Sequence, residues 1–132
     1  MRKLRHLVVL VAISTALSGC ATPTREQLAD ADYGSPPDGF EEIIKSYLFR
    51  ALKDPASAQY NFNSLPTKTW SRKGFGSSFI YGWGVCALIN AKNSFGAYVG
   101  YQPQFFLIRD GRVAVALEPG PASNNACKST AF

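Results

Sequence analysis

The chain holds few side chains able to do acid–base, nucleophilic or metal chemistry. Its one histidine is His6. From residue 7 onward there is none. That removes Ser-His-Asp and Cys-His catalysis, histidine metal sites and motifs of the HExxH type. The carboxylates offer little more. Glu41 and Glu42 are neighbours in a stretch of helical spacing, so they do not face each other. Asp110 sits in a turn signal and Glu118 near a strand end. None of these makes a convincing acid–base dyad. The expectation is no enzyme: no catalytic residue, no metal and no cofactor.

What remains is binding chemistry. The stretch "NAKNSFGAYVGYQP", Asn90 to Pro103, combines glycine, aromatic and amide residues with one lysine and no carboxylate. Gly96 and Gly100 permit positive φ, and Asn90 and Asn93 can bond backbone groups in a turn. A corner between two antiparallel strands accounts for most of this composition. Alternatively Asn90, Lys92, Asn93 and Ser94 project as a polar cluster beside Tyr98 and Tyr101, which suits a sugar or an extended peptide. A second candidate is Trp70 in "SLPTKTWSRKGFGSS", among Lys68, Arg72 and Lys73. A basic loop with an aromatic can hold phosphate or sulfate groups, including those of lipopolysaccharide. The plainer reading, a solvated loop with its tryptophan tucked in, is the one expected. The candidate partner-binding residues are therefore Trp70, Asn93, Tyr98 and Tyr101.

The N-terminus gives an address. "MRKLRHLVVLVAISTALSGC" opens with Arg2, Lys3 and Arg5, continues with an apolar run from Leu7 to Leu17, and ends in "LSGC". A bilayer span needs about 20 apolar residues, so this is the layout of a secretory signal. Leu17-Ser18-Gly19-Cys20 resembles the lipobox of bacterial lipoproteins. The resemblance implies that residues 1–19 are a signal peptide and that Cys20 carries the lipid. Residues 20–37 would then form the lipidated cysteine and tether, and 38–132 a single domain. It also implies, from Ala21 after the cysteine, an outer-membrane protein; the domain is expected to face the periplasm. Two or more acyl chains anchor stably, each buried carbon contributing about 0.8 kcal/mol.

The formal net charge of +5 suggests nucleic acid at first sight. Three of the 14 basic residues belong to the signal, which leaves 11 against nine acidic. Nucleic acid is therefore not an expected partner. With Cys20 lipidated, the remaining cysteines are Cys86 and Cys127. Outside the cytoplasm such a pair usually oxidises. On chain-entropy reasoning the bridge contributes roughly 4 kcal/mol. The rival is a reactive thiol, for which only Lys128 beside Cys127 speaks.

The elements that must position these residues follow from spacing. Hydrophobic residues make up 46% and aromatics 13%, enough for a core. "ATPTREQLADADYGSPP" reads as a tether with a short helix around Arg25 to Ala31; treated as flexible it reaches about 20–25 Å. Phe40, Ile43, Ile44, Tyr47, Leu48, Ala51 and Leu52 recur at helical spacing, which predicts an amphipathic helix over Gly39–Lys53, capped by Asp38 with Glu41. "DPASA" predicts a single turn and "QYNFN" a short strand. "FIYGWGVCALIN" predicts a long strand with Gly82 and Gly84 on one face, over which the helix is expected to pack. "AYVGY" predicts a short strand. Asp110-Gly111 inside "FFLIRDGRVAVAL" predicts a hairpin. The tail "EPGPASNNACKSTAF" reads as turn-rich. The fold class is α+β, one N-terminal amphipathic helix on an antiparallel sheet of about four strands.

"LKDPASAQY" followed by "VCALINAKNSFGAYVGYQPQFFLIRDGRV" resembles a motif of small proteobacterial envelope proteins, over roughly Phe40 to Val113. Ala97 stands where a second glycine is expected. The resemblance brings no activity, ligand or catalytic residue. The expected role is a non-enzymatic envelope lipoprotein that binds a protein or glycan partner or supports outer-membrane assembly. The alternative is a periplasmic inhibitor of a cell-wall hydrolase.

Overall fold

The computed structural model describes residues 21–130. Cys20, with the signal and lipobox readings, lies outside the described residues.

The first helix, α1 (Arg25–Ala29), begins with a reciprocal cap. The Gln27 amide N–H donates to the Thr24 hydroxyl, and the Thr24 N–H donates to the Gln27 side chain. The second, α2 (Phe40–Ala51), is the expected amphipathic helix, slightly shorter at both ends. Asp38 does not cap it. Gly39 is the N-cap, at φ 67, with no side-chain bond to the helix. That left-handed entrance costs glycine little. Glu41 and Glu42 lie in the first turn, where the helix dipole favours negative charge. A 3-10 turn at Pro55–Ser57 follows, as "DPASA" predicts.

The sheet is antiparallel throughout and has five strands. They are β1 (Gln59–Asn61), β2 (Thr67–Ser71), β3 (Ile80–Asn90), β4 (Gln102–Arg109) and β5 (Arg112–Leu117). The expected count was about four. The difference lies along one edge of β3: β1 pairs with residues 88–90 and β2 with residues 80–84, end to end. Between them Ser64 stands in for a strand. Its hydroxyl accepts from the Cys86 N–H and donates to the Cys86 carbonyl. On the other edge β4 and then β5 follow, joined at Asp110-Gly111 with φ of 51 and 71. Positive φ at both residues is the two-residue hairpin turn that the Asp-Gly signal predicts. "AYVGY" forms no strand; its one ladder contact is the isolated bridge Lys92–Tyr98.

Helices cover both faces. Ile44 and Leu48 of α2 are fully buried against Val85, Ala87, Ile89, Phe106 and Ile108. Each buried side chain contributes about 1.5–3 kcal/mol. The expectation placed α2 over the glycines, and this is reversed. The helix takes the opposite face, where branched side chains meet its apolar stripe. The glycine face is covered by α3 (Pro121–Thr130), a helix in the tail that reads as turns. A Cβ at Gly84 would stand 2.5 Å from the Thr69 methyl, 2.9 Å from the Phe105 ring and 3.1 Å from the Thr130 methyl. Glycine there lets the end of α3 come down onto the sheet.

Two bonds fix α3. Cys86 and Cys127 form a disulfide, with Cα atoms 5.5 Å apart. Ser123, fully buried, accepts from the Phe105 N–H and donates to the Pro103 carbonyl. It satisfies the edge of β4 beyond the end of β5, as Ser64 does for β3.

Part of the stretch read as tether lies on the sheet. Arg109 binds the carboxylate and carbonyl of Asp32. The Trp83 indole donates to the Gly34 carbonyl, and the Tyr33 ring stands edge-on to Tyr81 at 5.8 Å. The Gly34 N–H and then the Arg109 charge hold the Asp32 carboxyl below its ordinary range.

Candidate partner-binding loop

The connection from β3 to β4 runs over residues 91–101, within the stretch the sequence singled out. Its base is held by Asn90, a buried residue at the end of β3. The Asn90 amide donates to the Gln59 side chain on β1 and accepts from the Gly100 N–H. Gly100 has φ 88, so the chain can turn back there.

Asn93 organises the tip. Its side-chain oxygen accepts from the Phe95 and Ala97 N–H groups at 2.9 and 3.1 Å. Its own N–H donates to the Ala97 carbonyl, and its carbonyl accepts from the Gly96 N–H. This side-chain turn is the reason asparagine suits the position. Gly96 has φ 78, whereas Ala97 is not among the residues of positive φ. A glycine at 97 is therefore not required by this backbone.

The loop rests on the turn after α2. Lys53 donates to the Ser94 hydroxyl at 2.6 Å, and the Tyr98 hydroxyl donates to the Ser57 carbonyl at 2.8 Å. The Lys92 ammonium lies 4.0 Å from the Asp54 carboxylate and 5.4 Å from the Tyr98 ring centre. The two segments "LKDPASA" and "NAKNSFGAY" are thus one structural unit, with the first as floor to the second.

What the unit presents is apolar. Phe95 at the tip is 93% exposed, and Tyr98, Val99 and Tyr101 are each about half exposed. Val99 also lines a slot of about 110 Å³ beside the end of α2, together with Leu48, Leu52, Ile89, Gln102 and Gln104. Of the predicted residues, Asn93, Tyr98 and Tyr101 come together here. Asn93 does so as the turn's scaffold, since its side-chain oxygen is engaged within the loop. Tyr98 offers its ring, its hydroxyl being bonded. Trp70 is elsewhere: it lies opposite Tyr81 at the start of β3 and packs edge-on against Phe79 at 5.1 Å. It is half-buried and belongs to β2, so part of the basic stretch read as a loop is a strand. Phe95 was missed. Its signal was its place between the Asn93 turn and Gly96, where a side chain has nothing to fold back upon.

No other chemistry competes with this loop among the described residues. Glu41 and Glu42 both face Lys45, at 3.8 and 2.9 Å, on the open side of α2. Among the described residues no three His, Cys, Asp or Glu side chains gather as a metal ion would need. No described helix is long and apolar enough to cross a membrane. Compared with family models, curated proteins and solved structures, the chain matches none.

Proposed function

We propose that this chain is a non-enzymatic envelope lipoprotein. It is anchored through Cys20 to the outer membrane, faces the periplasm, and presents the Lys92–Tyr101 loop to a protein or glycan partner. The observation that carries this reading is the pairing of exposure with rigidity. Phe95 is held almost fully open to water on a turn whose polar groups are engaged internally. Fixing an aromatic in the open lowers the entropic cost of binding, and aromatic anchors dominate interface energetics.

The test is crosslinking capture of the full-length protein from native envelope membranes, with Phe95→Ser/Tyr101→Ser as control. A specific partner retained by the natural sequence and lost with the double variant, at unchanged melting temperature, supports the reading. Identical recoveries from both forms reject it. The same rigid loop also fits an inhibitor seated in the cleft of a cell-wall hydrolase. A panel of muramidases assayed with the protein decides that: loop-dependent inhibition favours it, and no inhibition removes it.

A further inference from the structure

The hairpin joining β2 to β3 lies at the opposite end of β3 from the binding loop. Its tip, Gly74-Phe75-Gly76-Ser77, is closed by the Ser77 hydroxyl, which accepts from the Gly74 N–H and donates to the Gly74 carbonyl. Phe75 is 98% exposed, the most open large apolar side chain described. The glycines beside it have nothing within 4 Å of where a Cβ would stand. The segment from Thr67 to Ile80 carries Lys68, Arg72 and Lys73 and no carboxylate.

One contact relates this tip to the N-terminal end of the described chain. The Arg72 guanidinium, stacked 4.2 Å from the Phe79 ring centre, donates to the Ala21 carbonyl at 2.7 Å. On the lipid-anchor reading, the anchor precedes a residue whose carbonyl is held by Arg72, three positions before Phe75 in the chain.

We infer that the β2–β3 hairpin tip is a membrane seat: Phe75 enters the headgroup boundary while Lys73 faces anionic headgroups. This rests on the lipid-anchor reading above. The occupant follows from the chemistry of the patch. A single aromatic projecting beside an exposed lysine, on a segment without a carboxylate, matches a lipid interface, where apolar insertion and headgroup attraction act together. The acyl anchor supplies the high local concentration that one phenyl ring could not.

Full-length protein is reconstituted in vesicles of phosphatidylethanolamine and phosphatidylglycerol. A spin label is placed at Phe75→Cys or, as the distal control, at Phe95→Cys. Cys86 and Cys127 are already bonded to each other, and both labelled side chains are open to water, so the fold is not disturbed. The label at 75 is expected to be several-fold less accessible to a water-soluble relaxing agent than the label at 95, and more accessible to oxygen. Equal accessibility at the two positions overturns the seat. Mass spectrometry of the same sample reads acylation of Cys20 separately, so loss of the anchor reading is not confused with loss of the seat. If Cys20 is unmodified its thiol would take the label too, so the labels at 75 and 95 are then read on Cys20→Ser chain that sediments with the vesicles, and a water-exposed position 75 overturns the seat in that form also.

Discussion

Breaking the Cys86–Cys127 bond should loosen α3 first and lower the stability of the whole domain. The bridge spans 41 positions. Removing that closure from the unfolded chain costs about 4 kcal/mol at 25 °C, an upper value because denatured chains keep some structure. For a domain of this size about 4 °C accompanies each kcal/mol, so the melting temperature should fall by roughly 15 °C. Without the bridge, α3 retains the Ser123 bonds to Pro103 and Phe105 and the packing of Ala126 near Phe105 and Leu107. Ten residues are too few to hold a helix alone. The reduced protein should therefore stay folded over α2 and the sheet while amides of α3 exchange early. Thermal melts of oxidised protein, reduced protein and Cys86→Ala/Cys127→Ala report the fall, and hydrogen exchange locates it. A fall under about 5 °C would refute the loop-closure reasoning. Finding both thiols free in non-reduced, denatured protein would refute the pairing itself.

Four other outcomes follow from the packing. Gly84→Ala should destabilise by about 1–3 kcal/mol in urea melts, because its methyl meets Thr69, Phe105 and Thr130; a neutral result would mean that α3 sits further from the sheet. Leu48→Ala should cost about 2–5 kcal/mol, as a buried side chain removed from the α2–sheet contact, and a change under about 1 kcal/mol would misplace the core. Asn93→Ala should open the loop and speed tryptic cleavage at Lys92 while changing global stability by only about 1–2 kcal/mol; unchanged proteolysis would remove Asn93 as organiser. Asp32 has its pKa lowered by the Gly34 N–H and Arg109, so its contribution is fully present above the unfolded value, near 3.8, and is lost as pH falls through the lower folded value. Trp83 fluorescence, sensitive to the Gly34 contact, should therefore hold down to pH 4 and change only below about 3.8; Asp32→Asn should show the released signal already at pH 7.

Where local chemistry decided the structure, the sequence was readable. Asp110-Gly111 demands positive φ at two residues, and the hairpin is there. The α2 stripe has one apolar face, and Ile44 and Leu48 are its buried centre. Glycines at 82 and 84 did mark a close approach. The errors lie where distant residues override local preference. "PASNNACKST" has poor helix formers, yet it is helical because Cys127 and Ser123 fasten it to β3 and β4. Once that helix takes the glycine face, α2 must take the other. "AYVGY" has strand composition but no strand partner, because Tyr98 is turned toward Ser57 and Gly100 toward Asn90. The binding candidates divide the same way. Asn93 was visible as a turn residue, but which of its neighbours would stand open was not. Exposure is set by what the rest of the chain leaves uncovered, and Phe95 and Phe75 are left uncovered by opposite ends of one strand.

That opposition gives the two tips a common consequence. Eleven residues of β3 separate them, about 35 Å at the rise of an antiparallel strand. A fully flexible tether would let the Lys92–Tyr101 loop point anywhere, including at the lipid. The contacts of Arg109 with Asp32, Trp83 with Gly34 and Arg72 with Ala21 remove much of that freedom, since they hold the N-terminal segment along the sheet. With the hairpin seated as inferred, β3 becomes a strut that holds Phe95 on the order of 35 Å from the headgroups. Loosening the segment with Asp32→Asn and Arg72→Gln should then leave the loop's affinity for a soluble partner unchanged. Capture of a partner fixed at that height should weaken, because linker freedom dilutes the effective concentration. Equal losses in both assays would show that the segment supports the loop's shape instead of its placement.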